Sequence, residues 1–218
     1  MGILEIINNQ IALLKAEIII YGKAADEALS QQMATEISKM WTEAEGKIMI
    51  NGKLYTLECS VIGSFQPNLT PESIFNNRNP LLNFFRIEEF ANGNISFVDA
   101  INCNTGFFKL ENLYLGSTTA AHEFGHTIGL VHPQYCDLRG KGIPGIMYPR
   151  GTLVDAQYQY DPAVPAGLKG GTMHPQYRKV WKEEVALLQI NPKYQIDNKH
   201  FVIGDFSNVW HESHDMFA

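Results

Sequence analysis

Three histidines near the middle of the chain constrain its fold more than any other feature. His122 and His126 are four residues apart, which on an α-helix is about 40° around and about 6 Å along the axis. Their imidazoles therefore leave one face of a predicted helix, close enough to bind a single metal ion. The flanking residues indicate that this helix begins near Ser117, which can cap it together with Thr118.

A third histidine, His132, lies six residues after His126, so an unbroken helix would direct it about 120° away. Gly129 stands between the two and accepts the left-handed conformation that ends helices at little steric cost. We therefore predict that the helix stops near Gly129 and that the chain turns to bring His132 to the same ion. Three neutral imidazoles leave one position of a tetrahedral zinc ion open to water, which is typical of catalytic rather than structural zinc.

Glu123 follows the first histidine and lies about 100° around the helix from it, too far to share its face as a ligand. Its carboxylate is instead predicted beside the position that water would take on the metal. Two histidines and a glutamate at this spacing occur by chance, but each further fixed residue is roughly 10–50-fold rarer. Gly129 and His132 therefore favour a zinc site over histidines in an ordinary core helix.

The whole segment His122-Glu123-Phe124-Gly125-His126-Thr127-Ile128-Gly129-Leu130-Val131-His132 resembles the long zinc-binding motif of the metzincin metallopeptidases. That family also has a methionine-containing turn beneath the zinc. Gly145-Ile146-Met147-Tyr148-Pro149 is similar to that turn, and most similar to the turn of the matrixins. Pro133 is more like the serralysins, and Pro149 stands where astacins and serralysins carry a tyrosine that can ligate zinc. The subfamily is left open.

The resemblance implies a zinc endopeptidase that hydrolyses peptide bonds of extended polypeptides. Zinc held by His122, His126 and His132 would polarise the scissile carbonyl and acidify a bound water molecule. Glu123 would accept a proton from that water and then pass it to the leaving amine. Met147 would form an apolar floor under the imidazoles by packing, without ligating the metal.

Family architecture further implies that the substrate adds as a strand to an edge strand just before the zinc helix. The preferred candidate for this edge contains Gly106 and Phe107, and residues 111–115 are the alternative. Tyr148 and Pro149 would help to wall the pocket for the side chain after the cut bond. The alternative for these two residues is a plain turn.

Other metal-binding candidates are weaker. Asp155 and Asp161, with the carbonyls between them, are a minor candidate for a structural calcium site. Cys136 follows the third histidine by four residues, but a thiolate at the zinc would block the water position. His211 and His214 have helical spacing near the end of the chain, where a solvated tail is the favoured interpretation.

The remaining sequence predicts an α+β fold. Residues 11–21 are typical of a strand entering the core, and residues 24–44 of a long amphipathic helix. Residues 47–62 predict two strands around Asn51-Gly52, a strong hairpin signal. Further strands are predicted at residues 82–90, 95–102 and 107–115. A long irregular segment is predicted at residues 133–171, and a last helix at residues 175–190.

The length of 218 residues suits one domain, and we expect a metzincin-like (zincin) domain over residues 1–218. An upper lobe of about residues 1–132 would hold a twisted mixed sheet, a backing helix and the active-site helix. A smaller irregular lower lobe of about residues 133–218 would hold the methionine turn and the last helix. The substrate cleft would lie between the lobes.

Composition excludes several classes of function. A net charge of -6 and a pI near 5.6 argue against nucleic-acid binding. The apolar stretch at residues 11–20 contains Lys15 and Glu17, so it is predicted to be neither a signal peptide nor a membrane span. Three scattered cysteines favour free thiols, with one disulfide plus a spare thiol as the alternative. We expect a monomer that does not insert into membranes and whose partner is a polypeptide substrate.

Three rival interpretations stay open at the level of sequence. One is a zinc hydrolase of non-peptide amides or of chain termini, which an enclosed or charged pocket would favour over an open cleft. Another is a non-catalytic binding module that keeps zinc for structure, although such a site has no use for Glu123. The third is a protease-type toxin domain, delivered by a secretion machine or cut from a larger chain, since the resemblance suggests an exported or delivered protein.

Overall fold

The computed structural model describes residues 1–194 and 196–214 and has an α+β fold with a curled mixed sheet and few helices. The predicted fold class is therefore confirmed at this level. Eight strands in this part of the chain form one sheet: β1 (Gly2–Ile6), β2 (Ile11–Tyr21), β3 (Lys47–Ile50), β4 (Lys53–Phe65), β5 (Leu82–Glu88), β6 (Phe97–Val98), β7 (Thr105–Lys109) and β8 (His200–Ile203). The α-helices are α1 (Glu27–Glu43), α2 (Pro71–Phe75), α3 (Thr119–Thr127) and α4 (Lys182–Val185).

Strand β2 is the centre of the sheet. It runs parallel to β4 on one side and, along its second half, parallel to β5 on the other. Strand β1 pairs antiparallel with the first half of β2 and also with β8. Beyond β5 come the parallel strand β7 and then the short antiparallel strand β6 at the edge. Because β2 has neighbours on both sides, its run Ile18, Ile19 and Ile20 is at most 3% exposed.

The first half of the chain follows the sequence prediction closely. The predicted hairpin is confirmed: β3 and β4 are antiparallel, and Asn51 and Gly52 between them have φ angles of 49° and 77°, as a two-residue type I′ turn requires. The predicted first strand is confirmed as β2. The helix predicted at residues 24–44 is α1, which begins later because Asp26 caps it by accepting the Leu29 N–H at 2.7 Å.

Helix α1 packs on the sheet and also holds α3 in position. Met33, Ile37 and Trp41, spaced four residues apart on one face of α1, are at most 1% exposed. The Trp41 indole N–H donates to the Ala121 carbonyl of α3 at 3.2 Å. The Trp41 ring also meets the Phe124 ring edge to face, with 6.5 Å between centroids.

The prediction of one helix over residues 175–190 is wrong. A 3₁₀ turn at Pro175–Tyr177 and the four-residue helix α4 take its place. Between them the Lys179 N–H donates to the Pro144 carbonyl at 3.0 Å, within a bridge that joins Lys179 to Gly145. A backbone that pairs with a distant segment cannot also form helical hydrogen bonds, so tertiary pairing overrides the local helical pattern here.

Three other expectations also need correction. The predicted strand at residues 95–102 shrinks to the two residues of β6, and the one at 107–115 is β7, which ends at Lys109 before a 3₁₀ turn at Leu110–Asn112. The sequence patterns do not predict β1 and β8 at all. Because β8 returns to the main sheet beside β1, the assignment of all of residues 133–218 to a lower lobe is wrong for its last part.

The three cysteines are free thiols, as the sequence favours. Cys59 is buried, whereas Cys103 and Cys136 are partly buried. None of the helices within residues 1–194 and 196–214 combines the length and the apolar character needed to cross a bilayer.

Candidate metal centre

Helix α3 carries the first two histidines on one buried face. His122 and His126 are 6% and 8% exposed, and their ring centroids are 4.9 Å apart. The helix spans Thr119–Thr127, which confirms the helix predicted to begin near Ser117. Its four-residue spacing therefore aims both imidazoles at one point, as the sequence predicts.

The chain reverses at Gly129, immediately after α3. Gly129 has a φ of 102°, its N–H donates to the His126 carbonyl at 3.1 Å, and the Leu130 N–H donates to the Gly125 carbonyl at 2.9 Å. These two hydrogen bonds form the Schellman motif, in which a left-handed residue ends the helix. A Cβ at residue 129 would also lie 2.7 Å from Asn102 Oδ1, so both the backbone conformation and the available space require glycine.

The reversal brings three ring nitrogens together. His132 Nε2 lies 3.1 Å from His126 Nε2 and 3.1 Å from His122 Nε2, and all three ligand atoms are within 4.8 Å of one another. Nitrogens bound about 2.0–2.1 Å from a tetrahedral ion such as zinc would be about 3.3–3.4 Å apart. The donor set and its spacing therefore fit, and these three residues could hold one metal ion.

Further hydrogen bonds orient the two helical imidazoles. His122 Nδ1 lies 2.6 Å from the Ile146 carbonyl oxygen, and His126 Nδ1 lies 2.7 Å from that of Leu130. Because a carbonyl only accepts, each Nδ1 carries the hydrogen and each Nε2 presents its lone pair to the centre. Burial lowers the pKa of His122 well below its usual value, that of His126 to about 4, and that of His132 as well. The imidazoles are thus neutral at pH 7, the form that binds metals.

Glu123 faces this centre without belonging to the ligand group. It is 7% exposed and lines a cavity of about 230 Å³ together with His122 and His132. Burial raises the pKa of Glu123 to about 8, although the nearby guanidinium groups of Arg178 and Arg150 act to lower it. A carboxyl group that titrates near neutral pH can both accept and return a proton, so its position and protonation suit acid–base chemistry.

Met147 packs directly beneath α3. It is 2% exposed, and a Cβ at Gly125, between the two helical histidines, would overlap the Met147 sulfur. The absence of a side chain at residue 125 therefore lets the methionine approach the helix backbone. The contact is apolar packing against the helix backbone.

A half-buried carboxylate that the sequence does not predict holds the turn containing Met147. Glu184 of α4 accepts the Met147 N–H at 2.9 Å, the Ile146 N–H at 3.1 Å and the Trp181 N–H at 2.9 Å. Burial raises the pKa of Glu184, whereas these three backbone donors lower it. Since the Ile146 carbonyl in turn bonds to His122, Glu184 supports the metal centre from outside.

A second unpredicted carboxylate holds the start of α3. Glu36 of α1 accepts the Ala121 N–H at 3.2 Å, and the N–H groups of Thr118 and Ala120 also lower its pKa, which burial raises overall. A negative group at a helix N-terminus is stabilising. Thr118 occupies the predicted cap position with a φ of 58°, but its side chain makes no capping hydrogen bond. Ser117 Oγ instead accepts the Thr119 N–H at 3.2 Å, as predicted for this residue, and the carboxylate from α1 accepts the Ala121 N–H.

Gly106 and Phe107 do not form the edge of the sheet. Gly106 pairs with Val98 and Phe107 with Phe97, so β6 lies outside β7, and Phe107 is fully buried. The prediction that β7 presents a free edge for substrate is therefore wrong. The signal that β6 is the true edge is weak, because this strand has only two residues.

The two residues after Met147 have different positions. Pro149 lines the same cavity as the histidines, where the pocket wall is predicted. Tyr148 directs its ring to an apolar cluster of the irregular segment instead, and its carbonyl accepts an N–H of Arg178 at 3.2 Å. Tyr148 therefore contributes backbone rather than side chain to this region.

The weaker metal candidates lie apart from the centre. Cys136 directs its thiol toward the Pro133 carbonyl at 3.7 Å and is outside the three-histidine group. Asp155 accepts the Gly140 N–H at 2.8 Å, and Asp161 accepts the Ala163 N–H at 2.9 Å. Within the part of the chain that the structure describes, they belong to no group of three potential metal ligands.

The segment with His211 and His214 is not a solvated tail. The His214 ring stacks on Phe107 with 4.0 Å between centroids, and His211 Nε2 lies 2.9 Å from an Asp99 carboxylate oxygen. Trp210 stacks on Tyr21 with centroids 4.8 Å apart. Aromatic contacts with the sheet therefore hold this segment in place.

No protein-family model matches the chain, and a comparison with curated proteins finds no match. The interpretation of the centre therefore depends on its geometry and on the motif itself. The geometry adds three charged residues that the motif does not contain: Glu36, Arg178 and Glu184. Each acts on residues far away in the sequence, so no local pattern identifies it.

We predict that the purified protein binds one zinc ion per chain and that His132→Ala lowers its zinc affinity by more than about 100-fold. Loss of an outer-shell partner alone typically costs 10–100-fold, and this change removes a proposed ligand. The measurement is competition against a fluorescent zinc chelator. His200→Ala, at a partly exposed histidine of β8, is the control and should bind zinc as tightly as the wild type. Equal affinities of the His132 variant and the wild type would contradict the three-histidine site.

We also predict that Glu184→Gln lowers the free energy of unfolding by about 1–3 kcal/mol, because an amide has one acceptor oxygen and leaves buried backbone N–H groups unbonded. Glu183→Gln, at the exposed neighbouring residue, is the matched control and should change it by less than about 0.5 kcal/mol. Urea denaturation measures both. Indistinguishable curves for the two variants would show that Glu184 does not hold the turn.

Proposed function

We propose that the protein is a zinc-dependent endopeptidase of the metzincin type, which cleaves extended polypeptides. The observation that carries this proposal is the convergence of three imidazole Nε2 atoms beside the buried carboxylate of Glu123. Neutral imidazoles suit zinc, and three of them leave a coordination position open. The left-handed turn at Gly129 and the packing of Met147 under α3 support the resemblance of the sequence motif.

The residues of this chain then have distinct roles. Bound zinc would supply Lewis-acid chemistry, by polarising the scissile carbonyl and making water more acidic. Glu123 takes a proton from the attacking water and returns it to the leaving amine nitrogen. The Nδ1 hydrogen bonds of His122 and His126 keep both rings oriented before substrate arrives, so little reorganisation is needed during the reaction.

The substrate would lie along β6 rather than β7. Strand β6 is the end of the sheet path, and within the described residues it pairs only with β7. Ile95 and Ser96, just before β6, line the same cavity as the histidines. The Val98 backbone N–H lies close enough to lower the pKa of Glu123. An extended peptide that pairs with the outer side of β6 would therefore pass the metal centre.

The burial of Glu123 favours an enzyme over a module that keeps zinc only for structure. Within residues 1–194 and 196–214 this carboxylate forms no salt bridge, and its pKa is raised by burial. Burying an ionisable group without an ion-pair partner costs stability. Perturbed groups of this kind in a cavity are typical of catalytic sites.

We predict that Glu123→Gln lowers kcat/KM by about 10²–10⁴-fold while zinc content stays unchanged. The amide keeps the shape and hydrogen-bonding capacity of the side chain but cannot take and return a proton. The measurement is digestion of a diverse peptide library by the zinc-loaded protein, with cut sites mapped by mass spectrometry, followed by kinetics on a cleaved peptide.

The matched control for this experiment is Glu58→Gln, at an exposed position of β4 away from the cavity, which should cleave like the wild type. Two results would contradict the proposal. One is an unchanged rate in a zinc-replete Glu123→Gln variant. The other is a zinc-loaded wild type that cuts no peptide in the library.

A further inference from the structure

Arg178 is a buried cation with an unusual set of partners. It is 4% exposed, its Nε donates to Thr118 Oγ1 at 2.9 Å, and its Nη1 donates to the Tyr148 carbonyl at 3.2 Å. Both acceptors are neutral. In the part of the chain that the structure describes, no carboxylate lies within salt-bridge distance of its guanidinium. Buried charges are ordinarily paired.

A second buried arginine shows what this fold does when an arginine has a structural role. Arg86 is 8% exposed, and its Nη2 lies 2.6 Å from Glu88 Oε1, so its charge is neutralised in place. Arg178 has no such partner among the described residues. Burial lowers its pKa to about 10. The group therefore stays charged at neutral pH although much of its hydration is lost.

Arg178 borders the proposed catalytic centre, and it also lines a larger groove beside α1. It lines the cavity of about 230 Å³ that His122, Glu123 and His132 also line. Glu123 raises the pKa of Arg178 from a distance without contacting the guanidinium. A guanidinium has five N–H donors, so the two hydrogen bonds to Thr118 and Tyr148 leave donors for a ligand in the cavity.

Two further residues give this cavity an excess of unmatched polar groups. Arg150, half-buried, is a second cation in its lining. Thr119, also in the lining and 4% exposed, has a hydroxyl group without any hydrogen-bond partner among the described residues. An unsatisfied buried hydroxyl costs stability unless a ligand completes it. The cavity is smaller than a typical drug-sized site, so it suits one side chain or one chain end.

We propose that Arg178 is a specificity-determining residue that binds a substrate carboxylate next to the scissile bond, with Arg150 and Thr119 completing the site. Planar guanidinium groups match carboxylates through paired, charge-assisted hydrogen bonds. The carboxylate belongs either to an aspartate or glutamate side chain, as in an endopeptidase substrate, or to the C-terminus of a short substrate, which would instead favour the rival hydrolase of chain termini. This inference rests on the proposed peptidase function and names its class of substrate.

The test pairs peptides with variants of Arg178. In the first pair, both peptides have an amidated C-terminus and differ only at the residue beside the cut bond. One peptide carries an acid there (aspartate or glutamate), and the other carries the corresponding amide (asparagine or glutamine). The other pair differs only by a free or amidated C-terminus. We expect the acid member of one pair to be cleaved with a kcat/KM about 10–100-fold higher, the range for a charge-assisted pair. The pair that responds identifies the source of the carboxylate.

The acid-to-amide ratio of kcat/KM should fall toward one in Arg178→Gln, mainly through KM for the acid peptide. Arg178→Lys keeps the charge but loses the planar pair of donors, so it should lower the ratio only partly. This variant replaces Arg178→Gln in the test if the Gln variant does not fold. Arg139→Gln, at an exposed arginine outside the cavity, should keep the wild-type ratio. A residue that only clamps Thr118 to Tyr148 would slow both peptides equally and leave the ratio unchanged.

A binding experiment separates this inference from the proposed function. The Arg178 Nε–H signal of the zinc-loaded, nitrogen-15-labelled protein is followed by NMR. The probes are N-acetyl-aspartate α-amide against its asparagine analogue, and N-acetyl-alanine against its amide. We expect a saturable shift with an acid probe only. If no peptide is cleaved but this shift occurs, the peptidase proposal fails and the carboxylate site stands.

Two outcomes would overturn the inference. The first is cleavage with the same acid-to-amide ratio in the wild type and both Arg178 variants, which would leave the peptidase proposal intact. The second is the absence of cleavage together with no Nε–H shift from either acid probe. If the substrate carboxylate bound only to the zinc ion, the preference for the acid peptide would persist in Arg178→Gln. That result would be the first of these two outcomes.

Discussion

The candidate centre depends on one reversal of the backbone at Gly129. Its left-handed φ of 102° ends α3 after the second histidine and turns the chain so that His132 Nε2 meets the other two. Asn102 fills the space beside the glycine, and its N–H donates to the His126 carbonyl at 2.8 Å. A residue with a side chain at 129 would strain the turn and collide with Asn102. The reversal therefore converts a pair of helical histidines into a cluster of three that could hold one metal ion.

A ring of buried and half-buried charges surrounds α3 and fixes the elements that meet there. Glu36 ties α1 to the start of α3, Glu184 ties α4 to the turn under the helix, and Arg178 joins the start of α3 to Tyr148. Such groups cost desolvation, and most of this cost is offset by backbone N–H and carbonyl partners. Glu123 and Arg178 differ from Glu36 and Glu184 because they also line the cavity. Stability is given up where a ligand would complete the contacts, which is common at functional sites.

The sequence predicts the part of the site that depends on local geometry. Helical spacing predicts the common face of His122 and His126, and the freedom of glycine predicts the turn that brings in His132. Alternation and turn chemistry likewise predict β2 and the hairpin of β3 and β4. In the histidine cluster and in the hairpin, the residues that interact lie within about ten positions of one another.

The sequence fails where distant segments decide the structure. Lys179 looks helical by pattern but pairs with the Pro144 carbonyl, and β7 looks like an edge until the two residues of β6 cover it. Arg178, within a segment predicted to be helical, is identified as a cavity residue only when Thr118 and Tyr148 are brought beside it. Pairing energy and burial at these places come from long-range contacts, which local propensity does not encode.

Crystallography of protein grown with zinc shows whether the turn at Gly129 creates one metal site from three imidazoles. Anomalous diffraction recorded on both sides of the zinc absorption edge locates the ion. We expect a single strong peak about 2.0–2.1 Å from the Nε2 atoms of His122, His126 and His132, with the Glu123 carboxylate outside bonding distance. A fully occupied zinc site elsewhere with no peak at this position, or a peak bound by Glu123 instead of His132, would contradict it.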